Sequence, residues 1–81
     1  MVQGKRITLD KVPLGTRVVV IEVEDNEVGR RLTDMGITPG ITLEILFSAS
    51  GGCPVGVLIN HDYTLGVRLS EIKFISVYLP I

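Results

Sequence analysis

Few side chains in this sequence have the chemistry to hold a metal ion or carry a covalent step. There is one cysteine, Cys53, and one histidine, His61, followed directly by Asp62. All three fall in segments that read as loops, and a thiolate, an imidazole and a carboxylate suit a divalent transition metal. A protein metal site needs three or four converging donors, usually announced by a spacing motif, and none is visible. Cys53, His61 and Asp62 are therefore metal-ligand candidates whose plainer reading is turn and surface chemistry. A lone histidine without a placed nucleophile gives no triad. Ser50-Gly51-Gly52 lacks the Lys and Ser/Thr that complete a phosphate-binding loop. The chain does not read as an enzyme.

A second set of candidates lies in Arg30-Arg31-Leu32-Thr33-Asp34-Met35-Gly36-Ile37-Thr38-Pro39-Gly40. A guanidinium fork binds carboxylates well, so Arg30 and Arg31 are candidates for meeting an acidic partner surface; the plainer reading is a solvated helix face. Leu32, Met35, Gly36, Ile37, Pro39 and Gly40 form the rest of a candidate docking surface. In the plainer reading Met35 and Ile37 close the end of the fold and the glycines serve geometry.

Those residues must be positioned by local elements. Asp25 or Asn26 can cap a helix from about Glu27 to Met35, on which Val28, Leu32 and Met35 form one apolar stripe. Glu27 and Arg31 are spaced to pair along it. Gly29 weakens it by about 1 kcal/mol relative to alanine. Gly36 stands where a left-handed closing residue belongs, and Pro39-Gly40 is a turn dipeptide. Thr16 to Glu24 reads as the first long strand. In the next, about Ile41 to Ser48, Ile41, Leu43, Ile45 and Phe47 share a face. Val55 to Ile59 is a third strand, in which Gly56 signals a bulge or close backbone approach. Asn60-His61-Asp62 is a hairpin turn leading into a strand with Tyr63, Leu65, Val67 and Leu69 in phase. Ser70 can cap a single helical turn to Lys73, and Phe74 to Leu79 is the last strand.

Composition sets the frame. With 81 residues there is room for one domain, residues 1–81, with 1–6 reading as a flexible lead-in. Hydrophobic residues make up 46% and aromatics only 5%, so the core must be Val, Ile and Leu, which favour strands. A formal net charge of −1 gives no basic footprint for nucleic acid. A single cysteine forms no internal disulfide and suits a reducing compartment. The apolar run Val18-Val19-Val20-Ile21 is far short of the roughly 20 residues that span a bilayer, so direct membrane insertion is not expected. A mainly β fold follows: a small barrel of about five strands, one short inserted helix and a one-turn helix before the last strand. Closure removes exposed edges.

Beyond these local readings, the sequence resembles the FeoA family, small cytosolic accessory proteins of bacterial ferrous-iron transport. The matching residues are Arg31-Leu32-x-x-Met35-Gly36-Ile37-x-Pro39-Gly40, then Gly52-Cys53-Pro54, then Leu65-Gly66-Val67-Arg68 followed by Glu71 and by Ile75-x-Val77. Met35 replaces the family's usual leucine, Cys53 its usual aspartate and Ile72 its usual alanine. The resemblance covers about Leu9 to Val77 and implies an SH3-like β-barrel with a helical insertion. It also implies a non-catalytic role in Fe(II) uptake beside a membrane transporter that carries a cytosolic GTP-binding domain, the expected partner. The expected location is cytoplasmic, peripheral to the inner face of the membrane through that partner. The alternative is a direct transition-metal-binding or metal-sensing domain. No resident cofactor is assigned, and transient Fe(II) or another divalent transition metal is the ligand that alternative would bring.

Overall fold

The β-branched run after Thr16 forms the centre of the molecule. The computed structural model describes residues 4–48 and 54–80. It contains β1 (Gly4–Thr8), a 3-10 turn (Leu9–Lys11), β2 (Arg17–Val23), α1 (Glu27–Asp34), β3 (Thr42–Ser48), β4 (Val55–Ile59), β5 (Tyr63–Val67), α2 (Leu69–Ile72) and β6 (Ile75–Pro80). The six strands make one sheet in the order β1-β6-β2-β3-β4-β5, with every pairing antiparallel. The sixth strand is β1. Gly4, Lys5 and Arg6, expected in a flexible lead-in, instead pair with Pro80, Leu79 and Tyr78 of β6.

Two register shifts bend this sheet, one between Val20 and Glu22 against β6 and one between Ile45 and Phe47 against β4. Each leaves an extra residue on one strand, which locally sharpens the twist. The second shift corrects the expected phase of β3. Leu43 and Ile45 are buried as expected, but the slip turns Phe47 outward, where it is half exposed. Its ring covers Gly56, where a Cβ would lie 2.2 Å from Phe47 Cε2. The close approach expected at Gly56 is thus present, and the bulge sits on the facing strand.

The core is wholly aliphatic. Val18, Val20, Leu43, Ile45, Val55, Val57, Ile59, Val67, Ile75 and Val77 come from the strands, and Leu9, Val12, Leu32, Ile37 and Ile72 from the connections. No polar or charged side chain is buried among the described residues. At about 25 cal/mol per Å² of apolar surface removed from water, this burial does most to hold the fold together.

Asn26, one of the two expected caps, starts α1: its side chain accepts from the Gly29 amide at 2.8 Å. The helix ends in a Schellman closure. Gly36 N donates to Thr33 O at 3.0 Å, Ile37 N donates to Leu32 O at 3.1 Å, and Gly36 has φ +104°. That closure turns Leu32 and Ile37 inward together, and both are fully buried. Thr38 to Ile41 then make a turn closed by Ile41 N to Thr38 O at 3.3 Å, with Gly40 at φ +94°. Asn60 and His61 adopt left-handed φ values of 52° and 62° in the β4–β5 hairpin, as their residue types anticipate.

Candidate functional site

Tyr63 opens β5 with a job its strand phase does not show. The residue is 42% exposed, and its hydroxyl donates to the Met35 carbonyl at 2.6 Å. That carbonyl belongs to the last turn of α1, where backbone acceptors lack helical partners. A Cβ on Gly36 would lie 2.1 Å from the same hydroxyl, so the closing glycine also makes room for the contact. Tyr63 therefore ties the end of α1 to the start of β5. Tyr63→Phe is expected to cost about 1 kcal/mol, the usual net worth of one hydrogen bond, read as a lower urea midpoint with an unchanged slope.

A second tie crosses from α1 to α2. Arg31 Nη2 pairs with Glu71 Oε2. The Glu71 side chain is only 13% exposed, against 56% for Arg31. Its other oxygen accepts from the Arg68 amide at 3.2 Å, so one carboxylate both starts α2 and holds α1. This corrects two expectations. Arg31 does not pair with Glu27, because the sheltered Glu71 offers a stronger field than an exposed neighbour on the same helix. Ser70 is not the cap of α2, which begins at Leu69 with Arg68 as its N-cap residue. Leu69 accordingly leaves the strand phase of β5 and is 45% exposed.

Between these ties lies an open groove of about 600 Å³, lined by Arg31, Met35, Pro54, Gly66, Val67, Arg68 and Glu71. Its walls are the last turns of α1 and the first of α2, and its floor is the end of β5. The Arg31 and Arg68 guanidinium groups, set against one carboxylate, leave the groove one net positive charge. Met35 and Pro54 supply its apolar surface, and buried Val67 closes the floor beneath them.

The groove takes in some of the expected docking residues and not others. Arg31 and Met35 line it. Leu32 and Ile37 do not, because the helix closure puts both in the core; as contact residues they are corrected to structural ones. Gly36 serves the closure. Arg30 lies on another side of α1, exposed and 3.3 Å from Asp25 Oδ1. Pro39 and Gly40 are exposed on the following turn and do not line the groove. Among the metal candidates, His61 and Asp62 are exposed neighbours on the hairpin, and Cys53 lies outside the described residues. Among the described residues no three His, Cys, Asp or Glu side chains converge. Gly66, Val67, Arg68 and Glu71 line the groove without standing out as site residues in the sequence. A signal for them exists: the third block of the resemblance carries an arginine and a glutamate three residues apart, and the fold brings it against the first.

The bent antiparallel sheet with a helix inserted between β2 and β3 is an SH3-like fold. Residues 7–79 match the FeoA domain model, and the chain belongs to the FeoA family, which is associated with ferrous-iron transport. Solved structures agree. An FeoA-like protein from Clostridium acetobutylicum is 34% identical, with a TM-score of 0.82 over 98% of this chain and 90% of that one. FeoA from Chlorobium tepidum is 31% identical, with a TM-score of 0.79 over 90% of this chain and 70% of that one. Stenotrophomonas maltophilia FeoA, solved with zinc and described as a prokaryotic SH3 domain protein and candidate ferrous-iron-transport activating factor, is 29% identical; the TM-score is 0.76 over 88% of each chain. No curated protein is matched. No helix among the described residues is long and apolar enough to cross a membrane.

Proposed function

We propose that this protein is a non-catalytic, cytosolic accessory factor of Fe(II) uptake. It docks on the cytosolic GTP-binding part of a ferrous-iron membrane transporter, at the inner face of the membrane, and modulates transport. The observation that carries this reading is the joining of two sequence blocks by the Arg31–Glu71 pair into one groove. The fold needs neither Arg31 nor Arg68 in its core, and both are exposed. Two guanidinium groups beside an apolar strip are well suited to recognising a protein surface. Arg31→Glu tests it. The variant is expected to keep its circular dichroism spectrum, since the arginine is more than half exposed, and to bind the transporter's GTP-binding domain about tenfold more weakly by calorimetry, a loss of about 1.4 kcal/mol. Unchanged affinity contradicts the reading, and an unfolded spectrum reassigns Arg31 to structure.

A second reading, direct transition-metal binding, draws support from the zinc in the S. maltophilia relative. In this chain it would rest on Cys53, His61 or Asp62. Anaerobic Fe(II) titration of the labelled protein decides it: broadening confined to the β4–β5 hairpin favours metal contact, and an unchanged spectrum removes it.

A further inference from the structure

Among the described residues, nothing around one glycine in the groove requires it to be a glycine. Gly29 is forced by backbone that a Cβ would strike, Gly56 lies under the Phe47 ring, and Gly36 and Gly40 have positive φ. Gly66 shares neither constraint. Its φ is not left-handed, and among the described residues a Cβ there would meet only Pro54 Cβ, at an ordinary 3.7 Å. It is nevertheless exposed in the middle of β5, where glycine weakens a strand. Glycine in a strand also marks a place where another backbone approaches closely.

Three further observations meet at the same point. β5 ends the sheet and pairs only with β4, so its outer edge carries no strand among the described residues. Such an edge is a template for an added strand. Arg68, two residues beyond Gly66, has no partner for its guanidinium among the described residues, since its bonds to Glu71 run only through its backbone amide and carbonyl. Glu71 itself does not repel an incoming anion strongly, because Arg31 neutralises it and the Arg68 amide engages its second oxygen. The groove therefore combines a strand edge left unpaired among the described residues, apolar surface from Met35 and Pro54, and a net positive charge.

We propose that this groove takes an extended, acidic segment of a partner polypeptide, its backbone adding to β5 across Gly66 and a carboxylate lying between Arg31 and Arg68. The identity of the partner rests on the docking reading; the preference for an acidic strand does not.

The test uses random dodecapeptides displayed on phage and selected against the intact protein. Enriched peptides are expected to carry Asp or Glu flanked by apolar residues. As free peptides they should bind about tenfold more weakly to Gly66→Val and to Arg68→Glu, and more weakly as salt rises. Both variants are checked for native amide spectra. If Gly66→Val does not fold, Gly66→Ala and Arg68→Glu carry the comparison. No enrichment, enrichment without acidic residues, or acidic peptides that bind both variants as well as the parent would overturn the proposal, as would shifts of the groove amides by inorganic phosphate with no peptide selected. Acidic peptides that bind while the GTP-binding domain does not would leave the groove's preference standing and sink the docking reading instead.

Discussion

Replacing Gly29 with alanine is expected to destabilise the domain by about 3 kcal/mol, against the gain of about 1 kcal/mol that helix propensity alone assigns to that change. The reason is a backbone contact. A Cβ at Gly29 would lie 1.7 Å from the Glu24 carbonyl oxygen, 2.9 Å from its carbon and 3.3 Å from Val23 Cγ1. Those atoms are held in place. Glu24 N donates to Phe74 O at 2.9 Å, and the chain between Glu24 and the helix is fixed by the Asn26 cap. Alanine can be accommodated only by moving the start of α1 off the end of β2, which disturbs the cap and the packing of Leu32 below it. The contrast with Gly56 is informative. There the clashing atoms belong to the ring of Phe47, a half-exposed side chain that can swing away, so Gly56→Ala should cost much less. For a domain of 81 residues a loss of about 3 kcal/mol lowers the thermal midpoint by roughly 15 °C. A midpoint for Gly29→Ala equal to or above that of the parent would contradict the packing described here.

Leu32→Ala is expected to have a similar effect, about 3 kcal/mol, through a different cause. Leu32 has no exposed surface and lies within the aliphatic core, so truncation loses transfer energy and leaves a cavity. A margin on the order of 5 kcal/mol survives this at low temperature but not with much reserve. The variant also separates structure from docking. Leu32 sits in the same sequence block as Arg31, one residue on, yet it faces the core. Both corrected for the folded fraction, Leu32→Ala should bind the GTP-binding domain within about twofold of the parent, whereas Arg31→Glu, which also loses the tie to Glu71, should bind about tenfold more weakly. A folded Leu32→Ala protein that binds as poorly as Arg31→Glu would place Leu32 in the interface.

Much of the architecture was legible because local chemistry and tertiary structure agree. The Asn26 cap, the Gly36 closure, the Pro39-Gly40 turn and the left-handed Asn60-His61 hairpin are each written in residues that favour one backbone geometry. What was not legible depends on partners distant in sequence. The slip in β3 that exposes Phe47 answers to the bareness of Gly56 on the facing strand, and period-two alternation contains no trace of it. β1 forms because β6 offers it an edge, not because Gly4-Lys5-Arg6 favours a strand. Gly29 reads as a weak helix position until the end of β2 is seen to occupy the space its side chain would need. The site followed the same rule. Arg31 was recognisable from its own block, but Glu71, which orients it, and Arg68, which faces the groove unpaired among the described residues, lie about 40 residues further on. Only the fold shows that the two blocks make one surface, and that Leu32 and Ile37 between the exposed positions belong to the core.

The central claim, that this domain acts by docking through the groove between α1 and α2, is tested most directly by an amide-shift titration of the labelled protein with the transporter's cytosolic GTP-binding domain, with and without Fe(II) under anaerobic conditions. Shifts are expected to concentrate on Arg31, Met35 and the residues from Leu65 to Glu71, and to be present without iron. Silence at those positions, or shifts confined to β1 and β6 at the other end of the sheet, would contradict it.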